Sequence, residues 1–535
     1  MNFDYIIVGA GAAGCVLAER LTANGKHRVL ILEAGGSDRR FYIQMPLGYG
    51  KTFYDPAVNW GYYAEPDAGL AGQKDYWPRG KVLGGSTSIN AMVYIRGDAS
   101  DFDDWKAAGN LGWSWDDVFP TYKVMEDFEG GANDYRGAGG PFFISANMKD
   151  RHWLGSHFEA AAQATGLAYN PDFNGATQEG VGHYQLSVKN GRRNSAARVF
   201  LRPAMKRKNL EVVTHAQVTR IVMAGKRAIG VEYIRNGQRQ IAQAVREVIL
   251  SGGAVNSPQL LQLSGIGSPK VLKAQGIDVV VNNANVGQHL QDHLGINYTF
   301  RMNVPTLNDA LRPWWGKLRF GIQYLLMQRG PLSLSVNQGG GFFRTNPSHT
   351  RPNMQLYFQA FSTLIPRAGE RPLLTPDPFP GASIGLSNCR PTSRGEIVIQ
   401  SPDPLAKPRI VANAFSTDHD VQEMLEAVKF IRTIAKQPQI AQFIAEELRP
   451  GPSVQTDDEL ITDIRQRSGT VYHPSCTCRM GPAQLSAVVD PQLRVHGVDG
   501  LRVVDASAFP SIISGNLNAP TMMLAWKAAE MIQRI

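Results

Sequence analysis

Hydrophobic residues open the chain as a short β-branched run, residues 4–8, closed by Gly9-Ala10-Gly11-Ala12-Ala13-Gly14. A run of that length bounded by glycine predicts a buried strand. Val16, Leu17, Ala18 and Leu21 follow at helical spacing, and a second apolar run, residues 28–32, ends in Glu33. Strand, glycine-rich turn, helix, strand and acid, in that order, make a dinucleotide-binding unit. Gly9 makes the turn, Gly11 admits a pyrophosphate, and Gly14 lets helix and strand pack. The helix start offers free N–H groups and a positive dipole end to phosphates, and Glu33 is placed to accept hydrogen bonds from the adenosine ribose. This unit alone leaves NAD and FAD equally open.

The pattern then changes. Residues 35–75 are irregular and rich in aromatics, Phe41, Tyr42, Tyr49, Phe53, Tyr54, Trp60, Tyr62 and Tyr63 among them. A connection that long reads either as a lid or as a surface excursion packed by its own rings. Residues 79–90 crowd glycines and small hydroxyls together, which exposes backbone N–H groups and lets a flat ring approach the main chain. Residues 246–258 read as strand, turn and helix, the helix continuing through Leu260, Leu261 and Leu263. Alternation in residues 354–361 and 395–400 predicts an antiparallel sheet backed by helices. Residues 501–507 read as a strand running into Asp505. Residues 515–521, Gly-Asn-Leu-Asn-Ala-Pro-Thr, predict a helix capped by Asn, with Asn518 the better cap and Pro520 in the first turn.

Composition narrows the class. At 535 residues the chain is too long for one simple core and implies two or more lobes. The net charge of +9 is spread along the sequence with only short clusters such as residues 206–208. No aromatic-interleaved basic stripe is present, so nucleic acid is not an expected partner, whereas attachment to an anionic membrane surface stays open. No apolar run approaches the ~20 residues that span a bilayer, and the start leads straight into a strand without room for a signal peptide. Cys15, Cys389, Cys476 and Cys478 are too few and scattered for a disulfide framework. Cys476 and Cys478 lack the second pair that a zinc site needs, so no metal is expected. These features predict a soluble cytoplasmic protein, with peripheral contact to the inner face of the cytoplasmic membrane as the further option.

His473 stands in a loop, residues 471–481, Val-Tyr-His-Pro-Ser-Cys-Thr-Cys-Arg-Met-Gly. A loop histidine is as readily structural as catalytic. Its company decides: the GxGxxG unit with Glu33, residues 84–90, residues 253–267, residues 285–293 (Asn-Val-Gly-Gln-His-Leu-Gln-Asp-His) and the His473 loop occur in one order along nearly the whole chain. In these segments the chain resembles the glucose–methanol–choline (GMC) family of FAD-dependent oxidoreductases, and most nearly its bacterial choline-dehydrogenase-like alcohol dehydrogenases.

The resemblance implies a mixed α/β fold: a Rossmann-like FAD-binding region over residues 1–300 with a lid-like excursion at 36–75, a substrate domain over 301–465, and a C-terminal return over 466–535. It implies that FAD is held by Gly9, Gly11, Ala12, Ala13, Gly14, Glu33, Ala34, Arg79, Gly84, Gly85, Ser86, Asn90, Met92, Val93, Val218, Asp505, Ala506, Asn516, Asn518 and Thr521. Some relatives attach FAD through a His in the Gly-Gly loop; Ile89 stands at that position, so noncovalent FAD is expected. His473 matches the family's catalytic base and Asn516 its hydrogen-bonding partner. Oxidation of an alcohol needs a base for the hydroxyl proton and an acceptor for the hydride. His289 and His293 read as structural. Where choline-type relatives place a Glu toward the quaternary ammonium, Gln338 stands here, and a neutral amide offers no counter-charge. The expected reaction is oxidation of a primary alcohol or sugar alcohol, with electrons passing to a quinone or dye-like acceptor. Val471 resembles a small residue that lies near the oxygen-reacting carbon in some oxidases, which keeps a peroxide-forming oxidase as an alternative. A lyase that retains FAD without redox turnover is another.

Overall fold

A computed structural model describes residues 2–146, 150–364, 375–483 and 486–534. Two sheets carry the architecture. The first combines β1 (Asn2–Val8), β2 (Val29–Glu33), and, after β3 (Gly180–His183) has been sent to the second sheet, β4 (Leu210–Thr214), β5 (Ala216–Ala224), β6 (Arg227–Arg235) and β7 (Gln238–Leu250). Its order is β4-β2-β1-β7-β6-β5. Strands β4, β2, β1 and β7 run parallel, whereas β5 and β6 form an antiparallel arm against the first half of β7. The parallel strands read as nearly unbroken apolar runs because they are buried on both faces.

Register decides what this sheet can hold. Val8 lies level with Leu32 of β2 and with Leu250 of β7. Three strands therefore end at one edge, and their following loops, beginning at Gly9, Ala34 and Ser251, emerge side by side. Helices α1 (Ala12–Thr22) and α2 (Gly253–Leu263) start directly from two of them. Open α/β sheets bind ligands at such carboxyl edges.

The second sheet takes β3 together with β8 (Leu294–Met302), then, beyond helix α3 (Trp314–Met327), β9 (Gly339–Phe343), β10 (Met354–Gln359) and β11 (Gly381–Asn388), and finally β12 (Ile444–Arg449). Its order is β12-β8-β11-β10-β9-β3, antiparallel throughout. Helix α4 (Asp418–Ala435) packs its Met424, Val428 and Ile431 side against it, the sheet-on-helix layer the alternation predicts. One expectation fails. Residues 395–400 do not join this sheet; Glu396–Val398 pairs with Arg409–Val411 in a separate ribbon, because alternation specifies a half-buried strand but not its partner.

The chain returns through β13 (Gly469–Thr470), paired with β8, and β14 (Leu501–Val503), parallel to β7, before the final helix α5 (Asn518–Gln533) packs on α1. Among the described residues no helix is long and apolar enough to cross a membrane.

Candidate active site

A cavity of about 670 Å³ runs from the carboxyl edge of the first sheet to the face of the second. Its first half is backbone. Glu33 holds the glycine turn from below: one carboxylate oxygen accepts from the Ala10 amide at 2.9 Å and the other from Gly35 at 2.8 Å. Burial pushes this carboxyl up to about 7. The Gly84 amide donates to the Ala10 carbonyl at 2.7 Å, so the second glycine loop rests on the first. A Cβ on Gly85 would stand 2.8 Å from the Gly11 Cα, a close approach only glycine permits. On the opposite side Asp505 accepts from the Gly253 amide at 2.9 Å and the Ser257 hydroxyl at 2.6 Å, at the start of α2.

Three helix N-termini open on this cavity. Gly11, Ala12 and Ala13 of α1, Gly253 and Ala254 of α2, and Leu517, Asn518 and Thr521 of α5 all line it. The ends of α1 and α5 have no side-chain cap, while Gly253 of α2 donates to Asp505; each carries a partial positive charge, so the site favours an elongated anionic ligand. The main chain is also bare toward it. A Cβ added at Gly253 would meet nothing within 4 Å, and one at Gly11 only the Ser251 carbonyl at 4.0 Å. The buried Asn518 amide oxygen has no partner. These features fit FAD, its pyrophosphate against the helix ends and its ring against the bare loops.

Of the sequence-predicted cofactor residues, Gly9, Gly11, Ala12, Ala13, Glu33, Ala34, Arg79, Gly85, Ser86, Asn90, Met92, Val93, Val218, Asp505, Ala506, Asn516, Asn518 and Thr521 line the cavity. Gly14 and Gly84 do not. Gly14 packs α1 against the turn, where a Cβ would strike the Gly9 carbonyl oxygen at 1.9 Å, and Gly84 sits behind the second loop beside Ser88. Asn518 is not the helix cap; it is the first helical residue after Leu517, with no side-chain cap bond. Ile89 lines the wall as a hydrocarbon.

The catalytic candidates meet at the other end. The Asn516 Nδ2 donates to His473 Nε2 at 3.1 Å, and Asn516 Oδ1 accepts from Gln355 at 3.3 Å. His473 Nδ1 faces His293 Nδ1 at 3.0 Å, and His293 Nε2 faces the Cys389 carbonyl at 2.9 Å. That carbonyl fixes the protons along the row. It can only accept, so His293 carries its proton on Nε2, and its Nδ1, unprotonated in a neutral ring, accepts in turn. His473 must then be protonated on Nδ1, which leaves a lone pair on Nε2 beside Asn516. Burial first, then His293 and the Arg79 cation, hold His473 well below the usual imidazole range, and burial takes His293 down to about 4. Both rings are neutral at neutral pH.

The loop is held for this task. The Asp292 carboxylate accepts from the His473 amide at 2.7 Å and from the Thr470 hydroxyl, and burial pushes its carboxyl up to about 7. Arg79 donates to the Tyr472 carbonyl at 2.7 Å. Tyr472 and Cys476 on either side of His473 both hold φ of +72°, left-handed backbone that non-glycine residues keep only where surroundings enforce it.

His293, read from the sequence as structural, touches the candidate base. Its signal lay in the quoted segment 285–293, but nothing local marks a contact 180 positions away. His289 lies elsewhere, bonded to Asn285 at 3.2 Å. Gln338 is a correction. It does not line the cavity; its amide accepts from the His152 N–H at 2.8 Å and donates to the Ser335 carbonyl. The residue on the wall is Asn337, which accepts from Gln359 at 2.6 Å. With Asn297, Thr299, Tyr357 and Ser383 they give this side of the cavity neutral hydrogen-bonding groups. The excursion over residues 35–75 is not structureless: it forms short helices, and Tyr49, Phe53, Tyr54 and Trp60 line the cavity. Cys476 is a buried thiol against Gln291.

A nucleotide cradle at one end and a neutral imidazole whose Nε2 lone pair faces Asn516 at the other define a flavin-type oxidoreductase. The GMC oxidoreductase family models match residues 3–295 and 391–525. The chain is 42% identical to human mitochondrial choline dehydrogenase, covering 99% of this chain and 90% of that protein. It is 41% identical to the alcohol dehydrogenase (acceptor) of Pseudomonas putida, covering 99% and 96%. A solved formate oxidase of Aspergillus oryzae RIB40, from work on FAD modification, superposes with a TM-score of 0.93 at 26% identity, covering 100% of this chain and 98% of that one. The chain belongs to the GMC oxidoreductase family, and is an FAD-dependent oxidoreductase acting on CH–OH groups.

Proposed function

We propose that this enzyme is a dehydrogenase of primary alcohols or polyols in which His473 Nε2 removes the hydroxyl proton. The observation that carries the reading is the row Asn516, His473, His293 and the Cys389 carbonyl, which leaves one lone pair at the cavity end. FAD, held by the glycine loops and the helix starts, would supply the acceptor for the hydride of the carbinol carbon. The rest falls to the chain. Asn516 holds the substrate oxygen beside Nε2, and the neutral wall of Asn337, Gln359, Asn297 and Ser383 bonds further hydroxyls. The proton arriving on Nε2 makes an imidazolium whose Nδ1–H is already bonded to His293. The positive end of α5 favours negative charge accumulating at the cavity. We further propose that FAD is held noncovalently, since Ile89 offers no nucleophile, and that residues 1–300, 301–465 and 466–535 act as cofactor region, substrate domain and catalytic return.

Neutral wall groups argue against a permanent cation as substrate, despite the choline dehydrogenase names among the relatives. The word acceptor in the name of the Pseudomonas putida relative supports an electron acceptor; we infer that it is quinone or dye-like, and that the enzyme is cytoplasmic with peripheral contact at the inner membrane face. Val471 on the cavity wall favours the second reading, an oxidase. Replacing His473 with Ala, with an alcohol panel assayed without oxygen, tests the mechanism. FAD content should stay as in the wild type while bleaching of the flavin is lost. Bleaching near the wild-type rate refutes the base, and no bleaching of the wild type by any alcohol points to the lyase. Following peroxide and dye reduction together separates oxidase from dehydrogenase.

A further inference from the structure

Helix α3 turns its apolar residues toward solvent. Of its fourteen residues only Gly316 and Tyr324 are buried. Trp314 is 75% exposed, Trp315 56%, Leu318 54%, Ile322 49%, Leu325 62% and Leu326 80%. At about 100° per residue these six positions fall within an arc of about 120° on the helix. The opposite side packs inward: Phe320 joins the cluster of Tyr49, Met92 and Val93 behind the cavity wall. The Tyr324 ring meets Phe41 edge-on at 6.3 Å, and Phe41 and Tyr42 are 51% and 49% exposed, so the apolar surface continues onto the short helix Phe41–Gln44.

Cations border the long sides of this surface, while those at its ends are paired with acids, Arg312 with Asp309 at 3.9 Å and Arg329 with Asp150 at 3.7 Å. Lys317 and Arg319 flank the apolar arc on its two sides, Arg312 and Arg329 stand at its ends, and no Asp or Glu occurs between residues 312 and 329. All four cations are exposed. An apolar stripe with tryptophans, edged by Lys and Arg whose stems can lie along it, matches a bilayer interface: hydrocarbon beneath the stripe and anionic headgroups at its borders. Lys317 and Arg319, exposed along the two sides of the stripe with no acid between residues 312 and 329, complement a polyanionic surface better than the mixed surface of a second copy.

We propose that α3, with Phe41 and Tyr42, docks this enzyme on an anionic phospholipid bilayer, the helix lying in the interface plane. Docking brings the wall behind Tyr49 and Val93 to the membrane side, and it does not depend on the catalytic reading.

The test is co-sedimentation of the full-length holoenzyme with vesicles of phosphatidylglycerol and phosphatidylethanolamine, and with phosphatidylcholine vesicles. The wild type should pellet with the anionic vesicles. Leu325→Asp with Leu326→Asp should cut the partition at least tenfold on both vesicle types. Lys317→Glu with Arg319→Glu should cut it on anionic vesicles alone, as added salt should in the wild type. Dye-coupled turnover of a water-soluble alcohol, unchanged in both variants, establishes that they fold. The conservative pair Trp314→Phe with Trp315→Phe serves as a second readout, because it should remove the quenching of protein fluorescence by brominated lipid seen in the wild type. Wild-type enzyme remaining in the supernatant overturns the proposal, as does a double-Asp variant that pellets like the wild type. A wild-type dimer that dissociates in the double-Asp variant, without vesicle binding, assigns the face to a second copy and overturns it as well.

Discussion

Replacing His293 with Leu removes the acceptor of the His473 Nδ1 proton while leaving the base in place. The lost contact is the 3.0 Å bond between the two Nδ1 atoms, in surroundings from which water is excluded. A buried donor left without a partner costs about 1–3 kcal/mol. That cost falls only on the Nδ1–H tautomer, so the balance moves toward Nε2–H, the form that cannot accept a substrate proton. At about 1.4 kcal/mol per tenfold, the fraction of usable base would drop roughly five- to 150-fold. The lower part of that range applies. The Nε2–H form would point at the Asn516 amide hydrogens, and flipping that amide to receive it sacrifices the bond from Gln355 at 3.3 Å. About a tenfold loss in the rate of flavin reduction is therefore expected.

The assay is stopped-flow loss of the oxidised flavin's visible absorbance with excess alcohol and no oxygen. His293→Asn separates positioning from packing: its amide oxygen can accept from His473 Nδ1 while its nitrogen donates to the Cys389 carbonyl, and it should recover much of the rate. Nitrogen-15 imidazole shifts of His473 should move from the Nδ1–H pattern toward Nε2–H in the Leu variant. Reduction within about twofold of the wild type in the Leu variant, with an unchanged nitrogen spectrum, refutes the tautomer argument.

Arg79→Met removes one of the groups that lower His473. Because the neutral ring is the active form, wild-type kcat/KM should stay flat through neutral pH and fall only well below 6.5; the variant's acid limb should move to higher pH, and an unmoved limb contradicts the cause. Glu33→Gln keeps one acceptor but turns an amide N–H toward either Ala10 or Gly35, a donor against a donor costing about 1–3 kcal/mol. FAD titration should show Kd rising roughly five- to 150-fold. Gly85→Ala puts a Cβ 2.8 Å from the Gly11 Cα at φ +52°, so the two loops must part; melting should show a loss of about 1–3 kcal/mol together with lowered FAD content. Asn516→Ala removes the donor to Nε2, and flavin reduction should slow by about tenfold or more while FAD stays bound.

What the sequence reveals follows the range of the forces involved. The first unit is legible because its logic is local: a glycine turn, a helix start and an acid within 33 residues. Gln338 shows where local reading fails. Side chains alternate faces along an extended chain, so a slip of one position exchanges Asn337 on the cavity wall for Gln338 behind it, and no local feature fixes that phase. His293 fails for another reason, since its partner enters from β13 and the loop after it. Asn518 looks like a cap because Asn is a good cap, yet its amide oxygen is buried and unpartnered in the cavity.

Helix α3 marks the remaining limit. Periodicity identifies an amphipathic helix but not which medium its apolar side meets, since a protein core and a bilayer select the same residues. Borders distinguish them. A helix laid on a core has its polar face in water, and either sign of charge serves there. Here the apolar face itself is outward, and its two long sides are edged by Lys317 and Arg319. The same consideration of sign applies inside. Burial, His293 and the Arg79 cation keep His473 neutral, while the helix N-termini at the cavity favour the negative charge that alcohol oxidation delivers. The positive character of the site comes from backbone dipoles and the Arg79 cation on the cavity wall, that of the α3 border from exposed side chains. Salt should accordingly weaken docking on vesicles while leaving flavin reduction nearly unchanged.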